Sequence, residues 1–361
     1  MMKSFSLEAT LMATALVLVA LLSGCGSGDS KSGAPAGSPE ASAKPTGTLK
    51  QVLDRGKLKC GVSGELPGFS FINPDGEYSG LDVDVCRAIA AALFDDPNAV
   101  EYKNLTAKDR FVALQNGEVD VLSRNTTETL LRDSSNKLSF APVVFYDSQG
   151  MMVRKETGIK SLKDLQGRSI CTQTGTTNER NLADQMRKLN VSYTPVVFDD
   201  INLAYGAYQE GRCDGVTSDR SQLVSRRTKF PKPDQHEILP EVMSKEPLAP
   251  AVNDGDDQWT AVVTWVIYAT MEAEELGITT AKLSQFTSST DPAVSRLLGK
   301  EDALGESLGL SKDFAAKVIK HVGNYGEIYE RNLGAQTPLK LERGQNNLWS
   351  KGGLLYPIPF R

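Results

Sequence analysis

One pattern occurs twice in this chain. Ala113, Gln115, Gly117 and Asp120 return in register as Ala207, Gln209, Gly211 and Asp214, followed by a hydroxyl side chain (Ser123, Thr217) and then by Asn125 or Asp219. Each copy reads as the end of a helix, a glycine that permits reversal, a short strand, and polar side chains at that strand's C-terminal end. In open α/β sheets that end is where ligands bind. A chain built this way predicts two similar α/β lobes whose polar strand ends face each other across a cleft. The plainer reading is that Gly-x-x-Asp marks only a helix-to-strand turn, which any α/β protein can repeat.

The surrounding sequence has the same character, with apolar runs alternating with amphipathic helical patterns. Strands are expected at 57–62, 100–103, 119–123, 143–153, 169–172, 194–198 and 215–218. In residues 82–94, Cys86, Ile89, Ala90, Leu93 and Phe94 form one stripe suited to a sheet. The last third reads as mostly helical, at 257–276, near 280–286, at 311–322 and at 325–333. The run from Trp259 to Met271 is strongly apolar, but Thr260, Thr264 and Thr270 interrupt it and Glu272, Glu274 and Glu275 follow. It is expected to be a core helix rather than a membrane span.

Residues 11–22 are nearly all apolar and lie behind Lys3, too short a run to span a bilayer and of the length of a secretory signal. The run ends in Leu22-Ser23-Gly24-Cys25, which resembles the lipobox of bacterial lipoproteins. That resemblance implies cleavage before Cys25 and lipid attachment to its sulfur. Residues 26–48 are Gly, Ser, Ala, Pro and Lys-rich with no aromatic residue, and 25–48 is therefore expected to be a lipidated cysteine on a flexible tether.

With Cys25 lipidated, four of the five cysteines remain, an even number in an oxidising compartment. Cys60 ends a strand-like run and Cys86 lies on the apolar face of the next helix, while Cys171 and Cys213 both end strand-like runs in the second half. Of the three possible pairings, Cys60–Cys86 with Cys171–Cys213 is expected, one bridge per lobe. Four reduced, buried thiols are the alternative.

Charge and histidine content exclude several functions. With 40 Lys+Arg against 45 Asp+Glu and a net charge of −5, the chain carries no basic footprint for nucleic acid. Its two histidines, His236 and His321, stand in no metal-ligand spacing with cysteines, so neither a metal nor a cofactor is expected.

Several stretches together resemble one family. These are Gly80-Leu81-Asp82-Val83-Asp84-Val85-Cys86-Arg87-Ala88, residues 114–127, Gly175-Thr176-Thr177 and Gly255-Asp256-Asp257-Gln258-Trp259. They look like the solute-binding proteins of polar amino-acid ABC transporters, nearest to the general L-amino-acid binders, over nearly all of residues 49–361. The resemblance implies a two-lobed class II periplasmic-binding-protein fold of α/β lobes joined by two crossing strands. The expected boundaries are 1–24 signal, 49–150 plus 250–361 for a discontinuous first lobe, and 151–249 for the second.

A free α-amino acid carries a carboxylate and an ammonium, so its receptor needs a fixed partner for each in a dry cleft. Arg132 is the candidate carboxylate clamp, because a guanidinium can grip a carboxylate through two bonds. Asn125 and Thr127, beyond the first repeated strand, can add a carbonyl acceptor and a hydroxyl, with helix capping as the plainer role. In the second half, Gln173-Thr174-Gly175-Thr176-Thr177 follows a strand and opens a helix, a place for an anion. The family resemblance puts Thr177 and Thr176 on the ligand carboxylate and Asp219 on the ammonium, with an N-cap as the alternative for Asp219. Phe69 or Phe71 is expected to wall the aliphatic part of the ligand. Where the histidine- and lysine/arginine-binding branch has a stacking tyrosine, Leu66 stands here, which favours acidic and neutral polar amino acids.

The expected function is a lipid-anchored, monomeric, extracytoplasmic receptor, with no catalytic residue, that delivers L-amino acids to an ABC permease. The alternative is a periplasmic dehydratase on the same scaffold, with Asp219 and Glu179 as acid/base groups. No histidine and no evident nucleophile-base pair accompanies them.

Overall fold

The computed structural model describes residues 43–361. The expected signal, Cys25 and the tether as far as residue 42 lie outside the described residues. Residues 43–48, expected as the end of the tether, are instead docked. The Ala43 N–H donates to Glu306 O, Thr46 Oγ1 donates to Gln258 Oε1 at 2.7 Å, and a helix begins at Gly47–Arg55.

Two sheets of closely matched design follow. In the first, the order is Val100–Asn104, Leu58–Val62, Val121–Leu122, Ala251–Asn253, Leu138–Phe140. The first three strands are parallel, and Ala251–Asn253 runs antiparallel to its neighbours. In the second, Thr194–Phe198, Ser169–Gln173 and Gly215–Asp219 are parallel, and the long strand Phe145–Arg154 runs antiparallel beside the third. His236–Ile238 completes the edge, and Ser244–Leu248 pairs with the first half of the long strand.

The repeated turn explains why the two sheets match. Gly117 and Gly211 take the left-handed backbone that the reversal needs, at φ 68° and 81°. The following aspartates then make the same bond in each lobe: Asp120 Oδ2 accepts from Lys59 N at 2.7 Å, and Asp214 Oδ2 accepts from Ser169 N at 2.9 Å. Each fixes the start of the central strand against the strand that ends at the cleft, so the repeated Asp is structural and the residues after the strand are left for other work.

Two segments link the lobes. The chain leaves the first sheet after Leu138–Phe140 and enters the second in Phe145–Arg154, and it returns between Ser244–Leu248 and Ala251–Asn253. The outgoing crossing thus starts several residues ahead of Gly150, because Phe145 to Gln149 is already paired with Ser244–Leu248. The C-terminal segment braces this hinge. Asn346, buried, receives the Tyr146 N–H on Oδ1 at 2.6 Å and donates Nδ2 to Tyr146 O at 3.1 Å, while Tyr325 Oη donates to Val144 O.

The first lobe's core gathers around the helix Asp257–Glu275, whose Trp259 is 1% exposed and donates Nε1 to Asp120 O at 2.8 Å. This is the core helix expected from its interrupted apolar run, and no described helix is long and apolar enough to cross a membrane. The second lobe buries an apolar cluster on each face of its sheet, one with Met151, Ile170 and Leu182, the other with Met152, Tyr208 and Val216. Disulfides join Cys60 to Cys86 and Cys171 to Cys213, the expected pairing, each tying a central strand to an element of its own lobe.

Candidate functional site

The lobes meet closed. Ser225 Oγ of the second lobe donates to Pro67 O of the first at 2.9 Å, and the polar strand ends form a pocket between them. Leu66, Arg110, Arg124 and Asn125 line it from the first lobe, and Thr177, Asn178 and Asp219 from the second. The pocket retains about 20 Å³ of free space. A larger chamber of about 590 Å³ lies outside it, sharing Thr176 and Thr177 as a common wall and lined by Phe111 and Arg132.

Asp219 ends the third strand of the second lobe and is 4% exposed. It stands at the N-cap of the helix Arg220–Arg227 but makes no capping bond with its side chain. Its Oδ1 accepts from Asn178 Nδ2 at 2.9 Å. Burial, followed by the nearby Asp147 and Glu246, raises its pKa well above the ordinary carboxylate value. A carboxylate held in this way gains from a cation brought beside it.

The counterpart in the first lobe is Asn125, whose backbone sits at φ 33° and whose N–H donates to the buried Asp82 at 3.0 Å. Burial pushes the Asp82 carboxyl up to about 7, against the pull of the Asn125 N–H, Arg124 and Arg110. A non-glycine residue at positive φ is costly, and the Asp82 bond holds it in place.

Three buried guanidiniums surround these acids. Arg132 donates Nη1 to Thr127 O at 2.6 Å and lies over the Phe111 ring at 5.1 Å. Its pKa is lowered to about 10 by burial, despite Glu246 and Asp219 nearby. It lines the outer chamber and Asp219 the inner pocket, and the two spaces adjoin at Thr176 and Thr177. Arg110 also lies over the Phe111 ring, 4.7 Å from its centre, and is 3% exposed. It makes two long bonds, to Thr126 Oγ1 at 3.3 Å and Arg124 O at 3.5 Å, and its Nε has no partner among the described residues. Burial and the like charges of Arg132 and Arg124 lower its pKa. Arg124 donates Nε to Leu105 O at 2.7 Å.

The threonine hydroxyls are occupied differently from the expectation. Thr176 is the N-cap of Thr177–Leu189: its hydroxyl accepts from Glu179 N and donates to Gln173 O at 2.7 Å. Thr177 and Thr127 both donate to one oxygen of Glu246, at 2.8 and 2.6 Å. Capping of the helix Leu130–Ser134 falls to Thr129, which frees Thr127 from that plainer role. With their protons committed, Thr176, Thr177 and Thr127 offer a ligand hydroxyl lone pairs rather than hydroxyl donors. An anion here would rely on Arg132 and on the unpaired N–H groups of the helix N-terminus.

Phe69 is not a cleft wall. It is fully buried, edge-on to Phe145 at 5.2 Å, because it sits in the turn before the strand Ser70–Ile72, where strand alternation does not hold. Phe71 lies on that strand, half-buried, with the Lys229 ammonium 5.7 Å from its ring. The aromatic ring at the site is Phe111, and Leu66 lines the inner pocket.

Sequence reading missed Arg110 and Glu246, though each carries a signal. Arg110 stands three and four residues before the buried Ala113 and Leu114, on the core face of its helix. Glu246 shares the inward period-two face of its strand with Leu248. A charged residue on an inward face must have partners or a function.

A profile of the bacterial extracellular solute-binding proteins, family 3, matches residues 58–283. The general L-amino acid-binding periplasmic protein AapJ of Rhizobium johnstonii is 50% identical over 323 residues, covering 89% of this chain and 95% of that protein. The glutamate/glutamine/aspartate/asparagine-binding protein BztA of Rhodobacter capsulatus is 47% identical over 322 residues, again 89% and 95%. Among solved structures, a periplasmic binding protein from Brucella ovis with glutathione bound is 50% identical with a TM-score of 0.86, covering 88% of this chain and all of that one.

Proposed function

Because this chain belongs to the bacterial extracellular solute-binding proteins of family 3, we propose that it captures L-amino acids, chiefly acidic and neutral polar ones, between its lobes and delivers them to an ABC permease. The observation that carries the reading is the opposition of buried charge across the cleft, with Asp219 in one lobe and Arg110 and Arg132 in the other. Asp219 receives the ligand ammonium, and Arg132, with the N-terminus of Thr177–Leu189, receives a carboxylate. The unpartnered Nε of Arg110 supports a second carboxylate or an amide oxygen at the inner end, which suits glutamate, aspartate and their amides. Leu66 in place of an aromatic ring offers no platform for a cationic side chain.

The amino acids named for AapJ and BztA support this ligand class, and the glutathione named for the Brucella ovis structure supports a cleft that admits more than one residue. A family of solute receptors leaves the dehydratase alternative without support. The Leu22-Ser23-Gly24-Cys25 sequence supports anchoring through lipid on Cys25, with the receptor held as a monomer at the membrane face.

A thermal-shift panel of the twenty amino acids tests the assignment. At a hundredfold excess over Kd a bound ligand stabilises by about 2.7 kcal/mol. Asp219→Asn and Arg132→Lys are each expected to abolish the shift. An unchanged shift in both variants, or no shift with any amino acid, would overturn it.

A further inference from the structure

Two buried guanidiniums line the inner pocket with most of their donors unengaged. Arg110 and Arg124 are 3% and 6% exposed. Arg124 uses Nε on Leu105 O and makes no further side-chain bond among the described residues. Arg110 has only its long contacts to Thr126 Oγ1 and Arg124 O, and its Nε has no partner. The acids nearby are bonded elsewhere. Asp82 Oδ2 accepts from the Asn125 N–H, Asp219 Oδ1 from Asn178, and Glu246 from Thr127, Thr177, Asn181 and Ser244. A buried guanidinium without an anionic partner is costly, so this arrangement favours an anion beside both.

Size selects the anion. The free space of about 20 Å³ takes one particle about as large as water. Whole phosphate or sulfate ions are too large, which leaves the end of a ligand's side-chain acid or a monatomic halide. Chloride suits better than fluoride, because chloride and a guanidinium are both weakly hydrated and each gives up little solvation. Ser63 of the first lobe and Gln222 of the second line the same pocket and add a hydroxyl and an amide donor.

We propose that the Arg110–Arg124 pocket is a chloride site, and that chloride there competes with the side-chain acid of glutamate or aspartate while leaving alanine and serine unaffected. This rests on the amino-acid reading of the cleft and deepens it: ambient halide sets how far the receptor prefers acidic over neutral ligands. Asp219 lines the same pocket, and its carboxylate keeps the halide weakly held. With a chloride Kd on the order of a millimolar or above, a side-chain acid already delivered on a bound ligand displaces the ion, because it acts at an effective concentration of at least that order.

Calorimetric titration of the full chain with L-glutamate and with L-alanine, in sodium chloride and in sodium methanesulfonate at equal ionic strength, tests this; methanesulfonate is too large for the pocket. With chloride at about ten times its own Kd, the glutamate Kd should rise about tenfold and the alanine Kd stay within about twofold. The wild type should broaden the chloride NMR line, and glutamate but not alanine should sharpen it again. Arg124→Met should lose both the broadening and the salt dependence. A glutamate Kd equal in the two salts, an equal change for alanine, no line broadening, or broadening that persists with glutamate or in a folded Arg124→Met variant would each overturn the site. Should the variant fail to fold, the wild-type titrations and line widths decide alone. If neither amino acid binds in either salt, the amino-acid reading of the cleft falls, and the competition with it.

Discussion

Replacing Glu246 with alanine should loosen the closed state more than it disturbs either lobe. Glu246 lies on the returning hinge strand and is 1% exposed. One of its oxygens accepts from Thr127 of the first lobe and Thr177 of the second, and the other from Asn181 and Ser244, at 2.8 and 2.5 Å. Two hydroxyls sharing one oxygen can stand no further apart than their two bond lengths end to end. Any hinge opening of several ångströms must therefore break one of them. A hydrogen bond to a charged group contributes about 1.5–3 kcal/mol, so the variant should lower the closed-to-open ratio by roughly tenfold to a hundredfold. Since only the closed form encloses ligand, Kd should rise by the same factor, read by titration calorimetry, with a larger radius of gyration in X-ray scattering at saturating ligand. Glu246→Gln, which keeps one acceptor oxygen, should fall between. An alanine variant that binds and closes like the wild type would refute the role of Glu246 as a clasp between lobes.

Two further outcomes follow from the charges in the pocket. Arg110→Met should weaken glutamate and aspartate by about tenfold or more while sparing serine or alanine, since only ligands with a side-chain acid or amide reach the inner guanidinium; uniform loss across the panel in calorimetry would contradict that placement. Because the Asp219 pKa is raised in the free protein and an ammonium favours its ionised form, affinity should climb as pH rises from the ordinary value of 3.8 towards the raised one, with proton release on binding. Titrations in buffers of different ionisation enthalpy read that release, and proton uptake would reverse the argument.

Much of the scaffold is legible in the sequence because it is written in periodicity. The repeated Ala, Gln, Gly and Asp mark equivalent turns, and Ser169–Gln173, Thr194–Phe198 and Gly215–Asp219 lie where short apolar runs place strands. The site is only half legible. Asp219 and Asn125 are found because strand ends face the cleft, but the direction of a hydroxyl proton depends on a partner distant in sequence: Glu246, 119 residues from Thr127 and 69 from Thr177, takes both their protons. Phe69 differs from the expectation because it sits in the turn before the strand Ser70–Ile72 and packs against Phe145 in the core. Arg110 was hidden in a short helix whose exposed neighbours Lys108, Asp109 and Val112 make the whole segment look solvated.

Asn346 doubles as a surrogate peptide unit for Tyr146, answering both its N–H and its carbonyl from a stretch of chain beyond residues 58–283. The pivot is thus splinted by the tail, and its stiffness depends on residues that touch neither lobe's mouth. Changes in the tail are therefore expected to shift the balance between open and closed lobes without touching a residue of the pocket.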